Sequence, residues 1–454
     1  MNAITQLYRY PEASSLWEGT QPTLTLATCN ANATEHPHFF EGHMLAPRLV
    51  AQLLISLQSV VAARYFVPAN TVQKMLALAD PVVTSGSGWL RFEGFSSCCS
   101  CYARVDLLPD SYNGEIIGQG TTNVDFNAPM RSALSRVRDN KGLTLSVGRE
   151  IVQLHSGDTE IIERKVDLPR RWLRGMVEVQ AYLAAMNPRF QTTGLDLLRL
   201  LRTSPRQPSS HTPLWISCGI RGLVTSTQAN DQSVRVTELT RLRVLEPLLA
   251  QARNIVVYSD PAQQANAWVV DFNTQRFTLV LSAETWRGFS GEGQALRALM
   301  HHQSETLAHG IPALHAQLHW QSLLNIEQLA QTLAISKNFV EDGLRILGVA
   351  GLVGFDVQEG CYFHRVLPFD LSQQEEMHPR FADAKALLEQ GAVTIKTLKP
   401  FIAQVKSAEV IHQVREVDDE LKCTCPWFAK HQGQRGPCKH ILATEALRAQ
   451  IPGD

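Results

Sequence analysis

Hydrophobic and polar positions alternate with changing periods along the chain. Residues 44–79 carry Leu49, Leu53, Leu54, Leu57, Val60 and Val61 at helical spacing, and Pro68 predicts a break into two helices. Short runs with strand character follow: "GWLRFEG", "SCYARVDLLP", "GEIIGQGTTNVDF" and "LTLSVGREIVQLHSGDTEIIERKVDLP". Turns rich in Gly, Asn and Asp separate them, which predicts antiparallel hairpins. A helix is predicted from about Arg171 to Met186, and the Pro- and Ser-dense stretch from Arg202 to Pro213 reads as a linker. Beyond it, "LWISCG", "SVRVTEL", "NIVVYS", "AWVVDF" and "RFTLVLS" predict a second strand-rich region, with a helix around Leu245 to Ala252. "RGFSGEG" then leads into a helix; lacking the Lys and Ser/Thr of a phosphate loop, it reads as a turn and cap.

From Asn325 the period is helical again. Ile326, Leu329, Ala330 and Leu333 share one face behind the N-cap Asn325. Ser336 caps a second helix with Phe339, Val340, Leu344 and Leu347. A hairpin around "QEG" follows, so this segment is expected to be a winged-helix-like module. The expected fold class is α+β and multi-domain. Its parts are an N-terminal module (1–205), a strand-rich middle module (212–290), a helical and winged-helix-like module (291–368) and a C-terminal unit (380–454).

Composition narrows the function classes. In 454 residues, 42 Lys plus Arg balance 43 Asp plus Glu, so any nucleic-acid surface is local. No run of about 18 apolar residues predicts a membrane span. The first residues, "MNAITQLYRYPEASSLW", lack the apolar core of a signal peptide, and a cytoplasmic protein is expected. The nine cysteines are then expected as reduced thiols or metal ligands. No G-x-S-x-G, H-E-x-x-H or phosphate-loop motif occurs, so no enzyme is expected, and a pocket in the N-terminal module is the one place where an enzyme reading would rest. Asp106, Asn123 and Asp125 read as hairpin and turn residues.

The densest chemistry is "KCTCPWFAKHQGQRGPCKHILA". Cys423 and Cys425, two apart, share one face of a strand that Pro426 ends. Gly436 and Pro437 open a helix whose first turn holds Cys438 and His440. Three thiolates and an imidazole form a closed tetrahedral set, so one structural zinc in a ββα clamp is expected. Cys98, Cys99 and Cys101 are expected as ordinary thiols, and His36, His38 and His43 as surface histidines.

The C-x-C…C-x-H pattern, the proline after the second cysteine and the short helix after the histidine resemble the SWIM zinc finger over about residues 395–450. "ADPVVTSGSGWLRFEGFSSCCSCYARVDLL", "GTTNVDFNAPM", "VDLPRRWLRG" and "RGFSGEG" also resemble long bacterial SWIM-containing proteins, often encoded beside a MoxR-type AAA+ ATPase and a von Willebrand A domain protein. The resemblance implies zinc at Cys423, Cys425, Cys438 and His440, and binding of protein or DNA. A protein partner, such as that ATPase or von Willebrand A protein, is therefore expected, with nucleic acid as the alternative. The second helix of the winged-helix-like module carries Glu341 and Asp342 beside Lys337 and Arg345, which opposes phosphate contact. From Arg131 to Arg206, 14 basic residues face 8 acidic ones, with Arg170, Arg171 and Arg174 around Trp172. These three, together with Lys430, Arg435 and Lys439 of the finger, are the candidate contacts to nucleic acid or partner.

Overall fold

The computed structural model describes residues 7–8, 15–17, 23–29, 38–66, 81–115, 118–124, 128–148, 166–167, 170–206, 213–289, 305–367, 379–417, 420–433 and 436–449. The expected second helix after Pro68, residues 290–304 with the last four of "RGFSGEG", and Asp125 and His36 lie outside them. The mixture of helix and strand is that of an α+β protein.

A sheet of 13 strands organises residues up to 282. Its centre is antiparallel: Trp89–Phe95 pairs with Cys101–Leu107, which pairs with Gln275–Ser282. Ala265–Asp271, Asn254–Ser259 and Asn187–Thr192 continue it to one edge. Val82–Gly86, Gly120–Val124, Thr23–Cys29, Thr144–Gly148, His38–Met44 and Tyr112–Glu115 continue it to the other. The sheet is therefore continuous across residues 205–212, since Phe277 lies opposite Val105. The stretch before the linker also holds a helix that the sequence reading did not anticipate, Gly194–Thr203, capped by Thr193.

Both faces of the central strands are covered, giving three layers. Cys101, Ala103, Val105 and Leu107 share a core with Leu53, Leu54, Leu57 and Val60 of the helix Pro47–Ala62. Tyr102 faces the other way, into a core with Trp172, Met176, Val179 and Leu183 of the helix Arg170–Ala185. The remaining polar positions of that face, Arg104 and Asp106, are buried too. An alternation that reads as half-exposed strand is thus roofed by a second unit.

That roof is residues 305–367. Helices Glu305–His315, Ile326–Leu333 and Lys337–Val349 precede a hairpin of Val353–Asp356 and Cys361–His364. Both expected caps form: Asn325 Oδ1 accepts from the Gln328 amide at 2.9 Å, and Ser336 Oγ from that of Phe339 at 3.2 Å. Losing such a cap costs about 1 kcal/mol. Ser336→Ala is therefore expected to destabilise this helix by about that amount, read as faster amide exchange in 337–349 with the rest of the chain unchanged.

Six fully buried charged side chains hold hairpin to sheet. Arg91 reaches Asp106 at 2.7 Å and Asp356 at 2.8 Å; Arg104 reaches Asp106 at 3.0 Å and Asp356 at 3.1 Å. Arg365 pairs with Glu93 at 2.6 Å, and Tyr102 donates to the same carboxylate. Arg91 also stacks on Trp89 and Phe363. Asp106, expected at a turn, instead stands within a central strand as a structural counter-ion.

The C-terminal unit packs helices Pro379–Glu389 and Lys439–Ala449 against a sheet ordered Val393–Leu398, Phe401–Ser407, Val410–Val417, Glu420–Cys423. Its core includes Val177 and Val349 from the rest of the molecule. Residues 418–419 lie outside the described residues.

Candidate metal centre

Each ligand position is set by a local rule. Cys423 ends the strand Glu420–Cys423, whose register opposes it to Val414. Cys425 follows as the N-cap of a short helix, Pro426–His431, with Sγ accepting from the Phe428 amide at 3.3 Å. Proline fits the first turn of a helix, where its missing N–H would have no partner. The sequence reading took Pro426 as a strand end and missed this helix; the signal was Pro426 immediately after a residue able to cap. Cys438 precedes the helix Lys439–Ala449, and its Sγ accepts from the Ile441 amide at 3.5 Å. His440 stands in the first turn of that helix.

The four ligand atoms lie within 4.8 Å of one another, and all four residues are buried. His440 Nδ1 is 3.7 Å from Cys423 Sγ and 3.9 Å from Cys438 Sγ. Tetrahedral Zn–S and Zn–N bonds would place such atoms about 3.6 Å apart, so the cluster fits one zinc. His440 presents Nδ1 to the sulfurs and would bind the metal through it, while its Nε2 is buried without a hydrogen-bond partner among the described residues. The sulfurs also repel a shared negative charge. Hydrogen bonding with Cys438, then burial, pushes the Cys425 thiol up to about 12; bonding with Cys423 is the first cause that pushes Cys438 to about 12. A divalent cation reverses that preference by stabilising thiolates. With four protein ligands the metal has no open position, and its role is structural.

Neighbours that the sequence reading missed fix the loop. Arg380 donates to the Pro437 carbonyl at 2.9 Å and lies over the Trp427 ring at 4.6 Å. The His412 ring packs against that of His440, centroids 4.4 Å apart. Only the fold brings these residues to the site; nothing in their spacing from the ligands marks them.

The other candidates are scattered. Trp172 is buried and meets Phe95 edge-on at 5.9 Å, so it packs inward. The side chains of Arg170 and Arg171, and all of Arg435, lie outside the described residues. Arg174 is half-buried and Lys430 exposed, while Lys439 pairs with Asp383 at 3.2 Å. Cys98, Cys99 and Cys101 are buried on the body, where Cys98 Sγ meets Ser100 Oγ at 3.1 Å and the Tyr65 amide at 3.4 Å. Among the described residues they form no metal-ligating group. His43 Nδ1 lies 3.4 Å from Thr144 Oγ1. No described helix is long and apolar enough to cross a membrane.

No curated protein matches the chain. Solved structures similar to it include proliferating cellular nuclear antigen from Entamoeba histolytica, at 10% identity and TM-score 0.34 over 54% of this chain and 98% of that one. Another is the PCNA2–PCNA3 complex from Sulfolobus tokodaii, at 6% identity and TM-score 0.35 over 54% and 100%. A third is pol III beta of Caulobacter crescentus, at 12% identity and TM-score 0.31 over 54% and 66%. Likeness at these scores carries no argument about this chain. Residues 414–447 match the family model of the SWIM zinc finger, and with all four ligands clustered inside that span, this segment of the chain is a SWIM zinc finger.

Proposed function

We propose that the chain is a non-catalytic adaptor whose zinc-held finger and attached body present surfaces to a partner protein. The observation that carries this reading is the closed ligand set: Cys423, Cys425, Cys438 and His440 spend every coordination position on holding shape. The buried carboxylate in the strand-rich body points the same way. Asp106 is held by Arg91 and Arg104, which suits structure rather than attack on a substrate. The partner proposed from sequence resemblance is a MoxR-type AAA+ ATPase or a von Willebrand A domain protein.

DNA binding through a winged helix is the second reading, supported by the helix pair and hairpin of 326–364. Its cations weigh against it. Lys337 pairs with Glu327 at 2.7 Å, and Arg345 pairs with Asp342 at 2.8 Å beside Glu341. A pull-down from the native cell, with and without nuclease, separates the readings. An adaptor retains the same partner proteins after nuclease treatment; loss of all captured protein on digestion would overturn it.

A further inference from the structure

The turn between the strands Trp89–Phe95 and Cys101–Leu107 carries Cys98, and Cys101 opens the second strand. The turn is tight. The Cys99 amide donates to the Ser96 carbonyl at 2.7 Å, and the Ser96 amide to the Cys101 carbonyl at 2.9 Å. Cys99 takes a φ of 55°, in the left-handed region that residues other than glycine seldom occupy. Cys98 and Cys101 stand three apart across this turn, the C-x-x-C spacing of dithiols that cycle between thiol and disulfide. One hydroxyl touches both sulfurs: Ser100 Oγ lies 3.1 Å from Cys98 Sγ and 3.9 Å from Cys101 Sγ.

The two thiols differ in surroundings. Cys98 Sγ also accepts from the Tyr65 amide at 3.4 Å and lies 3.5 Å from Ser96 Oγ. Ser96 Oγ accepts from the Cys101 amide at 3.0 Å, which leaves its own hydrogen to donate to Cys98. Burial pushes the Cys98 thiol up, but the bonds from Ser100, Ser96 and the Tyr65 amide outweigh it and hold the thiol below the ordinary cysteine value. At Cys101 burial prevails and pushes the thiol up to about 12, and the Arg241 guanidinium is the first influence opposing it.

Arg241 is an independent sign of chemistry here. It is fully buried, where a cation ordinarily stands beside a carboxylate. Arg241 makes no ion pair among the described residues. Its Nη1 donates to the carbonyls of Ser282 at 2.7 Å and Ser100 at 3.3 Å, while Nε and Nη2 have no hydrogen-bond partner among the described residues. The acid three residues before it, Glu238, accepts instead from Thr285 Oγ1 at 3.2 Å. Negative charge on the Cys101 sulfur would supply the counter-ion that this guanidinium lacks.

We propose that Cys98 and Cys101 form a peroxide-oxidisable dithiol, with Cys98 as the attacking sulfur, Cys101 as the resolving one and Arg241 as the residue that favours charge on Cys101. Cys98 keeps 2% exposure and Cys101 none, so the oxidant is a molecule of the size of hydrogen peroxide rather than the disulfide of another protein. The Cys98 thiolate attacks one peroxide oxygen, the O–O bond breaks, and the departing hydroxide takes a proton to leave as water. The product is a sulfenic acid on Cys98. Cys101 then gives up its proton and attacks the Cys98 sulfur. The S–O bond breaks and hydroxide leaves with that proton as the second water. Two thiols are oxidised to one disulfide, and one peroxide is reduced to two waters.

The test treats the full, zinc-loaded chain with limiting hydrogen peroxide, alkylates the remaining thiols after denaturation and weighs the tryptic peptide 92–104. In the wild-type chain this peptide should lose two hydrogens and take one alkyl group instead of three, while the exposed Cys218 stays unoxidised. The same chain in denaturant should lose this preference. Cys99→Ala should keep the disulfide. Cys101→Ala should stop at a sulfenic acid that dimedone traps, and Cys98→Ala should give neither product. Arg241→Met should raise the trapped sulfenic acid about tenfold over wild type as the Cys101 thiolate fraction falls, and Arg241→Lys, which keeps the charge, should not. A guanidinium that merely holds the turn's carbonyls would leave that yield unchanged. Oxidation of Cys218 before this pair, a disulfide that survives Cys98→Ala, or wild-type disulfide formation without trapped sulfenic acid in Arg241→Met overturns the proposal. If Arg241→Met does not fold, the order of oxidation against Cys218 in the wild-type chain decides.

Discussion

Replacing Cys438 by serine or His440 by alanine is expected to unfold residues 379–449 and to leave the three-layer body folded. The finger core is small: among the described residues it holds 16 buried ones, of which Cys423, Cys425 and Cys438 are ligands and Val177 and Val349 belong to the body. Zinc binding in small fingers contributes about 10–16 kcal/mol of apparent free energy, which there is folding free energy. Little else in this unit can replace it. Its charged contacts are exposed or half-exposed pairs, such as Lys439–Asp383 and Arg448–Glu416, worth at most about 1 kcal/mol each. The body has its own core, with Leu53, Val105, Trp268 and Phe277 fully buried. The measurement is zinc content together with amide exchange. The wild-type chain should carry about one zinc, and the variants close to none. Exchange should rise throughout 379–449 and stay low in 89–107 and 265–282. A chelator should do the same to the wild-type chain. A finger that stays protected without zinc would refute the structural role of the metal.

The same locality explains how much of the molecule was legible. The zinc ligands fall at one strand end, one short-helix cap and one helix start, so spacing alone marked the ligand set, although Cys425 caps a helix instead of sharing the strand of Cys423. Helix caps at Asn325 and Ser336 are local in the same way, and both form. What lay hidden is long-range pairing. Nothing in "CYARVDLL" announces that its polar face lies under a hairpin some 250 residues later (Arg104 and Phe355 are 251 apart), because alternation reports a polar face without saying what covers it. Nor does the Pro- and Ser-rich stretch at 202–213 show that the strands on either side of it join one sheet. Arg380 and His412 reach the metal site for the same reason, through packing rather than spacing.

The hairpin's counter-ion supplies the second large effect. Asp356→Ala is expected to destabilise the body by about 3–5 kcal/mol, because it leaves Arg91 and Arg104 buried with Asp106 as the remaining carboxylate between them. Removing charge in balance should cost far less. Arg91→Met combined with Asp356→Leu keeps the Arg104–Asp106 pair, so the double variant should be markedly more stable than Asp356→Ala alone. The acid dependence follows with a definite sign. Burial opposes ionisation of Asp356, but Arg104 and Arg91 outweigh it and hold the carboxyl well below the usual carboxylate range. A depressed folded-state pKa contributes stability that is complete above the unfolded value, about 3.9, and fades as pH falls towards the folded value. In denaturant titrations followed by body tryptophan fluorescence, the gap between wild type and Asp356→Asn should therefore be constant near neutrality and narrow below about pH 4. A gap that widens on acidification, or an Asp356→Ala body as stable as wild type, would show that this buried cluster does not fasten the hairpin to the sheet.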